Sequence, residues 1–124
     1  MTISFVIPGK PPASSSANSR VSWHVRHTEG QRYMQDVLLL AQTATPEGHK
    51  PYTRCELHLV QKACSLRDAD NFLGSFKPGL DGMVHAGLLV DDKPSVLHRV
   101  IVEHERVKKR TEECVIVTLK EVQE

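Results

Sequence analysis

The sequence has 124 residues, of which 40% are hydrophobic and 25% are charged, and its formal net charge is +1. This length and composition fit one globular domain spanning residues 1–124. No apolar run approaches the roughly 20 residues that a membrane helix needs, and the N-terminus lacks the pattern of a secretory signal, so we expect a cytoplasmic protein without a membrane partner.

The N-terminal segment combines a predicted strand with an acid-free, basic stretch. Thr2 to Ile7 alternates and is rich in β-branched residues, which predicts a strand, and the small polar run Ala13 to Asn18 predicts a mobile loop. No acidic residue occurs from Met1 to Thr28, where the basic and aromatic residues include Lys10, Arg20, Trp23, His24, Arg26 and His27. Such a stretch suits phosphate contact and base stacking, and a solvated loop remains the alternative.

A first helix is predicted after this stretch. Thr28 to Gln31 reads T-E-G-Q, a capping-box pattern that starts a helix. Apolar residues then recur at helical spacing, and Pro46 and Gly48 close the helix. The apolar stripe consists of Tyr33, Val37, Leu40 and Ala44, widened by Met34, Leu38 and Ala41.

Arg54 to Ala63 alternates between apolar and polar residues, which predicts a half-buried strand. Cys55 and Cys64 fall near the two ends of this strand, about 30 Å apart, far beyond disulfide reach. With Cys114 the number of cysteines is three, and an odd number without close spacing argues against a disulfide framework or a zinc ribbon. We therefore expect reduced thiols.

A second helix is predicted from the spacing of Phe72, Phe76, Leu80 and Val84. The polar turn Arg67 to Asn71 precedes this helix, and Gly87 is suited to its C-cap. Pro78 interrupts the pattern, because proline removes a backbone donor and clashes with the preceding turn. Either the helix kinks at Pro78, which we favour, or an irregular turn from Gly74 to Phe76 precedes a helix whose first turn holds Pro78.

Two further strands complete the predicted fold. Val96 to Val107 and Cys114 to Val122 are interpreted as a hairpin whose turn is the charged segment Lys108 to Glu113. The order strand, helix, strand, helix, strand, strand suggests an α+β fold of two layers. We expect a mixed sheet of about four strands with two main helices packed on it.

Four aspartates flank the second helix and form the candidate catalytic and metal-binding set: Asp68, Asp70, Asp91 and Asp92. Clustered carboxylates repel one another, so such a cluster implies a cation. Oxygen ligands without a nearby histidine or cysteine suit Mg²⁺, with Mn²⁺ as a substitute. A helix from Asn71 to Ala86 is roughly 24 Å long, so the two pairs meet only if a kink and the loop after Gly87 bring the chain back.

Lys77 lies between the two acidic pairs in sequence and would stabilise charge on a transferring phosphate or a leaving oxygen. A structural alternative exists for the aspartates. Asp68 and Asp70 would then cap a helix, and Asp91 and Asp92 would lie in a solvated turn. The spacing alone leaves both interpretations open.

The segment RDADNFLGSFKPGLDGMVHAGLLVDD resembles the RusA family of Holliday junction resolvases, which are crossover junction endodeoxyribonucleases. That family shows an Arg-Asp-x-Asp-Asn run, a lysine, an aspartate on a helix, a glycine and paired aspartates. The corresponding positions here are Arg67, Asp68, Asp70, Asn71, Lys77, Asp81, Gly87, Asp91 and Asp92. The rest of the chain agrees with the family only in the layout of its elements.

The resemblance implies a homodimeric, magnesium-dependent nuclease, plausible for a phage, that nicks four-way junctions in DNA recombination and repair. It implies that Asp68, Asp70 and Asp92 are essential, with Asp91 beside them, and that Lys77 assists catalysis. A four-way junction offers two equivalent strands, so a two-fold dimer would present one active site to each of them.

One departure from the family pattern concerns the lysine. Lys77 lies farther from Asn71 than in the better-known members, as if about one helical turn were inserted around Leu73 to Phe76. Gly74 occupies the position where an ungapped alignment would place the lysine. Gly74, Ser75 and Pro78 would then form the local distortion that absorbs the insertion.

Branched DNA is the expected partner. The candidates for contact with it are Lys10, Arg20, Trp23, Arg26, Arg67 and Asn71. Phosphate contacts would position the DNA without reading its sequence. Two other functions stay open: a nuclease that acts on other branched DNA, and a catalytically silent DNA-binding module.

Overall fold

The computed structural model describes residues 1–16 and 19–123. Its main elements are β1 (Thr2–Pro8), α1 (Trp23–Ala44), β2 (Cys55–Ala63), α2 (Ala69–His85), β3 (Leu97–Arg106) and β4 (Cys114–Glu121). The four strands form one mixed sheet, and the two helices pack on it around a shared apolar core. The predicted α+β architecture is confirmed.

The strand order is β1–β4–β2–β3, so the predicted hairpin between the last two strands is wrong. β4 pairs antiparallel with both β1 and β2, whereas β3 pairs parallel with β2 at the edge of the sheet. Burial accounts for this order. Val115, Val117 and Leu119 of β4 are buried, as a central strand requires, whereas most residues of β3 are exposed and only Leu97 among them is buried. The segment 107–113 therefore passes the end of β2 instead of turning back on β3.

The core lies between the helices and one face of the sheet. Burial alternates along β1, β2 and β4, so every second side chain points toward the helices. Leu57 and Leu59 of β2 are fully buried, as are Phe72 and Phe76 of α2. Removing each such side chain from water stabilises the fold by about 1.5–3 kcal/mol.

α1 begins earlier than the sequence predicts. Its N-cap is Ser22, whose hydroxyl accepts a hydrogen bond from the Val25 N–H at 3.4 Å, so the capping box at Thr28 to Gln31 is wrong. Residues 21–29 are all exposed, and burial starts only at Tyr33. The first turns of α1 therefore contribute little to the core and present their side chains to solvent.

α2 runs unbroken through Pro78, so the alternative with an irregular turn at residues 74–76 is wrong. Asp70 and Asn71 belong to the first turn of the helix and not to a separate polar turn. Gly82 allows α2 to approach α1 closely, because a Cβ built there would lie 2.6 Å from the backbone oxygen of Met34. This crossing fixes the position of the helix that carries Lys77.

The segment before α1 is packed where the structure describes it. Residues 13–15 form a 3-10 turn, and Ser14 and Ser16 are buried, which corrects the expectation of a mobile loop for residues 13–16. Ala17 and Asn18, the end of that predicted loop, lie outside the described residues. All three cysteines are free. In the described part of the chain, no helix combines the length and apolarity required to cross a membrane.

Candidate active site

The segment after α2 turns the chain back along the helix. Gly87 has a φ of 82°, a conformation that L side chains rarely adopt. The N–H groups of Gly87 and Leu88 donate to carbonyls in the last turn of the helix, at 3.0 and 3.2 Å, which is a Schellman cap. Leu88 and Val90 then exchange backbone hydrogen bonds with Tyr52, at 2.9 and 3.0 Å. These bonds hold the returning chain in a defined direction.

The return brings Asp92 to Lys77. Lys77 Nζ donates a hydrogen bond to Asp92 Oδ2. The lengths explain the meeting, since residues 88–92 span about 16 Å if extended and the helix rises about 15 Å from Lys77 to Gly87. Asp91 lies next to this pair, and its Oδ1 accepts a hydrogen bond from the Asp92 N–H at 2.7 Å.

Asp70 faces the same side of α2 as Lys77. Seven residues at about 100° each bring the helix to within about 20° of the starting direction, with a rise of about 10.5 Å. Both residues are exposed. Asp70 and Asp92 therefore lie on one side of the protein, separated along the helix by roughly two turns.

Asp68 is the N-cap residue of α2, and its backbone oxygen accepts from the Phe72 N–H at 2.8 Å. Its carboxylate makes no capping hydrogen bond and is exposed. Helix capping by the side chain therefore does not account for Asp68. Asp70, in the first turn, lies where the helix dipole favours a negative charge.

The carboxylates do not form a closed metal cage in one chain. Within residues 1–16 and 19–123, no group of three or more His, Cys, Asp or Glu side chains is arranged to hold a metal ion. Mg²⁺, however, usually keeps several waters and binds one or two carboxylates together with substrate phosphates. Asp91 and Asp92 are adjacent, partly exposed and rich in oxygen, so they fit this ligand set.

The contact between Lys77 and Asp92 shifts the titration of both groups. The hydrogen bond from Lys77 lowers the pKa of Asp92, and the same bond raises the pKa of Lys77. Asp81 supplies a second carboxylate, 3.8 Å from Lys77 Nζ. In sequence, Asp81 matches the helix aspartate of the RusA pattern, and this pair was not predicted, although the i,i+4 spacing from Lys77 is its signal.

Arg67 has a structural role in addition to any contact with DNA. Its Nη1 donates to the backbone oxygen of Pro11 at 2.8 Å and to Ser75 Oγ at 2.9 Å. The buried Gln61 side chain bonds both the N–H and the carbonyl of Arg67, at 3.3 and 2.6 Å. Burial lowers the pKa of Arg67. These bonds tie the entry to α2 to β2 and to the N-terminal segment, and contact with DNA stays a prediction.

Lys10 and Asn71, two further candidates for DNA contact, make hydrogen bonds within the fold. Lys10 Nζ donates to the backbone oxygen of Ser65 at 3.0 Å, and Asn71 Oδ1 accepts from Ser16 Oγ at 3.3 Å. Around the start of α1, the exposed candidates are Arg20, Trp23 and Arg26. The structure therefore places a basic, aromatic surface on the first turns of α1 and the residue that leads into it.

The resemblance of residues 67–92 to the RusA family has no independent support from sequence comparison. The chain matches no protein-family model and no curated protein.

Proposed function

We propose that the protein is a RusA-like, magnesium-dependent endonuclease that cuts branched DNA, with the four-way junction as its substrate. The contact between Lys77 and Asp92 carries the proposal. It joins two separated parts of the acidic segment on the face of α2 that also carries Asp70. An ammonium group flanked by partly exposed carboxylates is an arrangement suited to a phosphodiester and its counterion.

Lys77 is the group that meets the negative charge of the substrate. In the free protein, its ammonium is held by Asp92 and Asp81. When DNA binds, a phosphate oxygen replaces one of these carboxylates as its partner. Positive charge at this point stabilises the charge that develops on the phosphate as water attacks.

Asp91 and Asp92 would hold one Mg²⁺ beside Lys77, and Asp68 and Asp70, about two helical turns away at the start of α2, would hold a second. When bound, Mg²⁺ activates water and stabilises charge on the phosphate. Carboxylate ligands of this kind also accept Mn²⁺. Asp70 and Asp92 are about two turns of α2 apart, so they would contact different parts of the bound DNA strand. Asp92 would contact it next to Lys77, and Asp70 near the start of α2.

A homodimer suits this substrate. Each subunit would place one site on one of the two equivalent strands of a junction. Lys10, Arg20, Trp23 and Arg26 would contact DNA from the N-terminal side, and Arg67 and Asn71 from the start of α2. Their contacts with phosphates would fix the orientation of the junction.

The test is a cleavage assay with an end-labelled four-way junction and a linear duplex of the same sequence. We expect paired nicks in the junction when Mg²⁺ is present and no cleavage in EDTA or of the duplex. Equal cleavage of flaps or forks would make the protein a nuclease for other branched DNA. Lack of cleavage of every branched substrate would overturn the proposal.

One observation favours a second candidate, a DNA-binding module without catalysis. Asp92 is already paired with Lys77, and no group of three metal-ligating side chains exists among the described residues. A binding module would bind the junction equally well with and without Mg²⁺ and would give no product. The cleavage assay therefore separates the two functions.

A further inference from the structure

A groove lies between the first half of α1 and the middle of α2, next to the candidate active site. Its volume is about 230 Å³, and its lining includes Ser15, Arg26, His27, Gly30, Gln31 and Lys77. At about 30 Å³ for each water molecule, this space holds about eight waters. It is large enough for a hydrated phosphate group and too small to enclose a whole nucleotide.

The groove carries positive charge from both helices. Arg26 comes from α1 and Lys77 from α2, and the His27 ring of α1 lines the groove as well. Arg26 uses one terminal nitrogen to bond the Ser19 carbonyl at 3.0 Å, which leaves further guanidinium donors for an anion. Asp81 also lines the groove, 3.8 Å from Lys77 Nζ, which in addition bonds Asp92. Lys77 is therefore already paired with carboxylates, and Arg26 is the groove cation that has donors left for an anionic ligand.

The bottom of the groove offers an unused hydrogen-bonding group. Ser15 Oγ is buried and has no hydrogen-bond partner among residues 1–16 and 19–123. Gly30 borders this group and leaves room next to it, because a Cβ built on Gly30 would lie 3.6 Å from Ser15 Oγ and 3.5 Å from Pro78 Cγ. A buried hydroxyl without a partner is costly, and a ligand oxygen in the groove would remove that cost.

An aromatic platform adjoins the groove. His27, which lines the groove, stacks on Trp23 with ring centroids 4.8 Å apart and an interplanar angle of 11°. Trp23 is 66% exposed even so. Exposed indole rings next to cationic groups are the standard elements for stacking an unpaired base while the adjoining phosphate is held by charge.

We propose that the groove and Trp23 together bind an unpaired nucleotide, with its phosphodiester in the groove and its base stacked on Trp23. The proposal rests on the function proposed above and extends it to the recognition of unstacked bases at the branch point. A second copy of the chain is the competing occupant, since Val21 and Val25 beside Trp23 are exposed too. The surrounding cations favour the polyanion.

Trp23 makes the test direct, because it is the single tryptophan of the chain. Its fluorescence is followed while the full-length protein is titrated, without Mg²⁺, with a short oligothymidylate or with inorganic phosphate. We expect quenching by the oligothymidylate and little change with phosphate, which fills the groove without stacking. With a labelled oligothymidylate, Trp23→Ala should weaken binding about fivefold to 100-fold.

Matched variants distinguish binding in the groove from non-specific attraction of DNA to positive charge. Arg26→Gln and His27→Gln should each weaken oligothymidylate binding about fivefold or more, whereas Arg32→Gln and His85→Gln, outside the groove, should change it less than about twofold. Gly30→Ala should raise the melting temperature, because alanine favours the helix, and should still weaken binding by covering Ser15. Weaker binding by this variant would therefore not result from unfolding.

The proposal is overturned if Gly30→Ala and His27→Gln bind the oligothymidylate as the parent does. It is also overturned if Trp23 fluorescence changes with protein concentration alone and Trp23→Ala abolishes self-association. The outcomes are distinct from those of the cleavage assay. If the groove variants cleave the junction at the parent's rate and bind the oligothymidylate as the parent does, the groove proposal fails and the nuclease proposal stands. If the protein binds the oligothymidylate but cleaves no substrate, the nuclease proposal fails and the groove proposal stands.

Discussion

Lys77 and Asp92 are 15 residues apart in the chain and share a hydrogen bond in the fold. The contact needs a continuous helix through Pro78, a reversal at Gly87 and a returning segment held by Tyr52. Each of these features is open to mutation. The consequences for catalysis can therefore be separated from those for stability.

Asp70→Asn should abolish cleavage of a four-way junction, with a loss of about 100-fold or more, because a ligand for Mg²⁺ is removed. Junction binding in EDTA should persist, since the change removes a negative charge near an anionic ligand. Gel-shift and cleavage assays on the same preparation measure both. Asp36→Asn, an exposed aspartate of α1, is the control and should cut normally. If Asp70→Asn cuts as fast as the parent, Asp70 has no part in catalysis.

Lys77→Ala should slow cleavage by about 100-fold and weaken junction binding by less than about tenfold, because its charge acts mainly in the transition state. Single-turnover rates and binding constants at one salt concentration provide the comparison. Lys50→Ala, an exposed lysine between α1 and β2, should change neither quantity. Equal losses of rate and binding would reduce Lys77 to an ordinary phosphate contact.

Asp92→Asn should lower the free energy of unfolding in a pH-dependent manner. The pKa of Asp92 lies below its ordinary value of 3.8, so the stabilisation is present above that value and is lost as the pH falls through the folded-state pKa. The pKa of Lys77 is raised above 10.5, so the contribution also persists until strongly alkaline pH. Urea unfolding of both proteins should show a constant difference above about pH 5 that shrinks in acid. A difference independent of pH would mean that the ion pair does not stabilise the fold.

Gly87→Ala should destabilise the protein by about 1–2 kcal/mol, because alanine is strained at positive φ. Gly48→Ala is a close control, since Gly48 has a φ of 78° and an added Cβ meets nothing within 4 Å at either site. Both variants should therefore lose similar stability. Only Gly87→Ala should also slow junction cleavage, because it alone disturbs the return of Asp92 to Lys77. Equal cleavage rates would show that the Gly87 reversal does not control the site.

Gly82→Ala should destabilise the protein by about 1–3 kcal/mol through overpacking at the helix crossing. The added methyl would meet the Met34 backbone oxygen, which cannot rotate away as a flexible side chain can. Thermal unfolding measures the effect. Gly30→Ala provides the opposite expectation, because its new contacts lie at ordinary van der Waals distances and alanine favours a helix by about 1 kcal/mol. A neutral Gly82→Ala would indicate that the helices separate at low cost.

The sequence predicted the helices and strands better than it predicted which strands pair with each other. Alternation located β1 and β2, and apolar spacing located the buried side of both helices, because local burial leaves a local pattern. The pairing of β3 and β4 leaves no such pattern, so the short connection suggested a hairpin. The sequence did contain one indication of the pairing. β3 carries charged residues, which are typical of an edge strand, whereas β4 is rich in apolar residues, which are typical of a central strand.

The start of α1 shows a second limit. Ser22 and Thr28 both carry side chains able to cap a helix, and the glutamine that completes the box favoured Thr28. The structure uses Ser22, because residues 23–29 form helix without any buried face. Apolar periodicity cannot detect such turns, so the surface built by Trp23, Arg26 and His27 was noted as basic and aromatic but its groove was not foreseen.

The sequence indicated the residues of the candidate carboxylate site, and their role stays a prediction, but the sequence could not predict their arrangement. The relative positions of Asp70 and Lys77 follow from helix geometry once α2 is known to be continuous, whereas Asp92 is placed by the segment that returns from Gly87. Continuity through Pro78 and the bridge between Tyr52 and Leu89 are tertiary features. The bridge joins residues far apart in sequence, so no local pattern reveals it.

The place of β4 in the middle of the sheet has a consequence for how the molecule is made. Of the four strands, β1 is synthesised before the others, yet its hydrogen-bonding partner β4 is synthesised after them. Until residues 114–121 emerge, β1 lacks this partner and the sheet beneath the two helices is incomplete. A nascent chain therefore completes its sheet late, and we expect a chain that ends before β4 to lack a stable sheet and to be degraded by proteases.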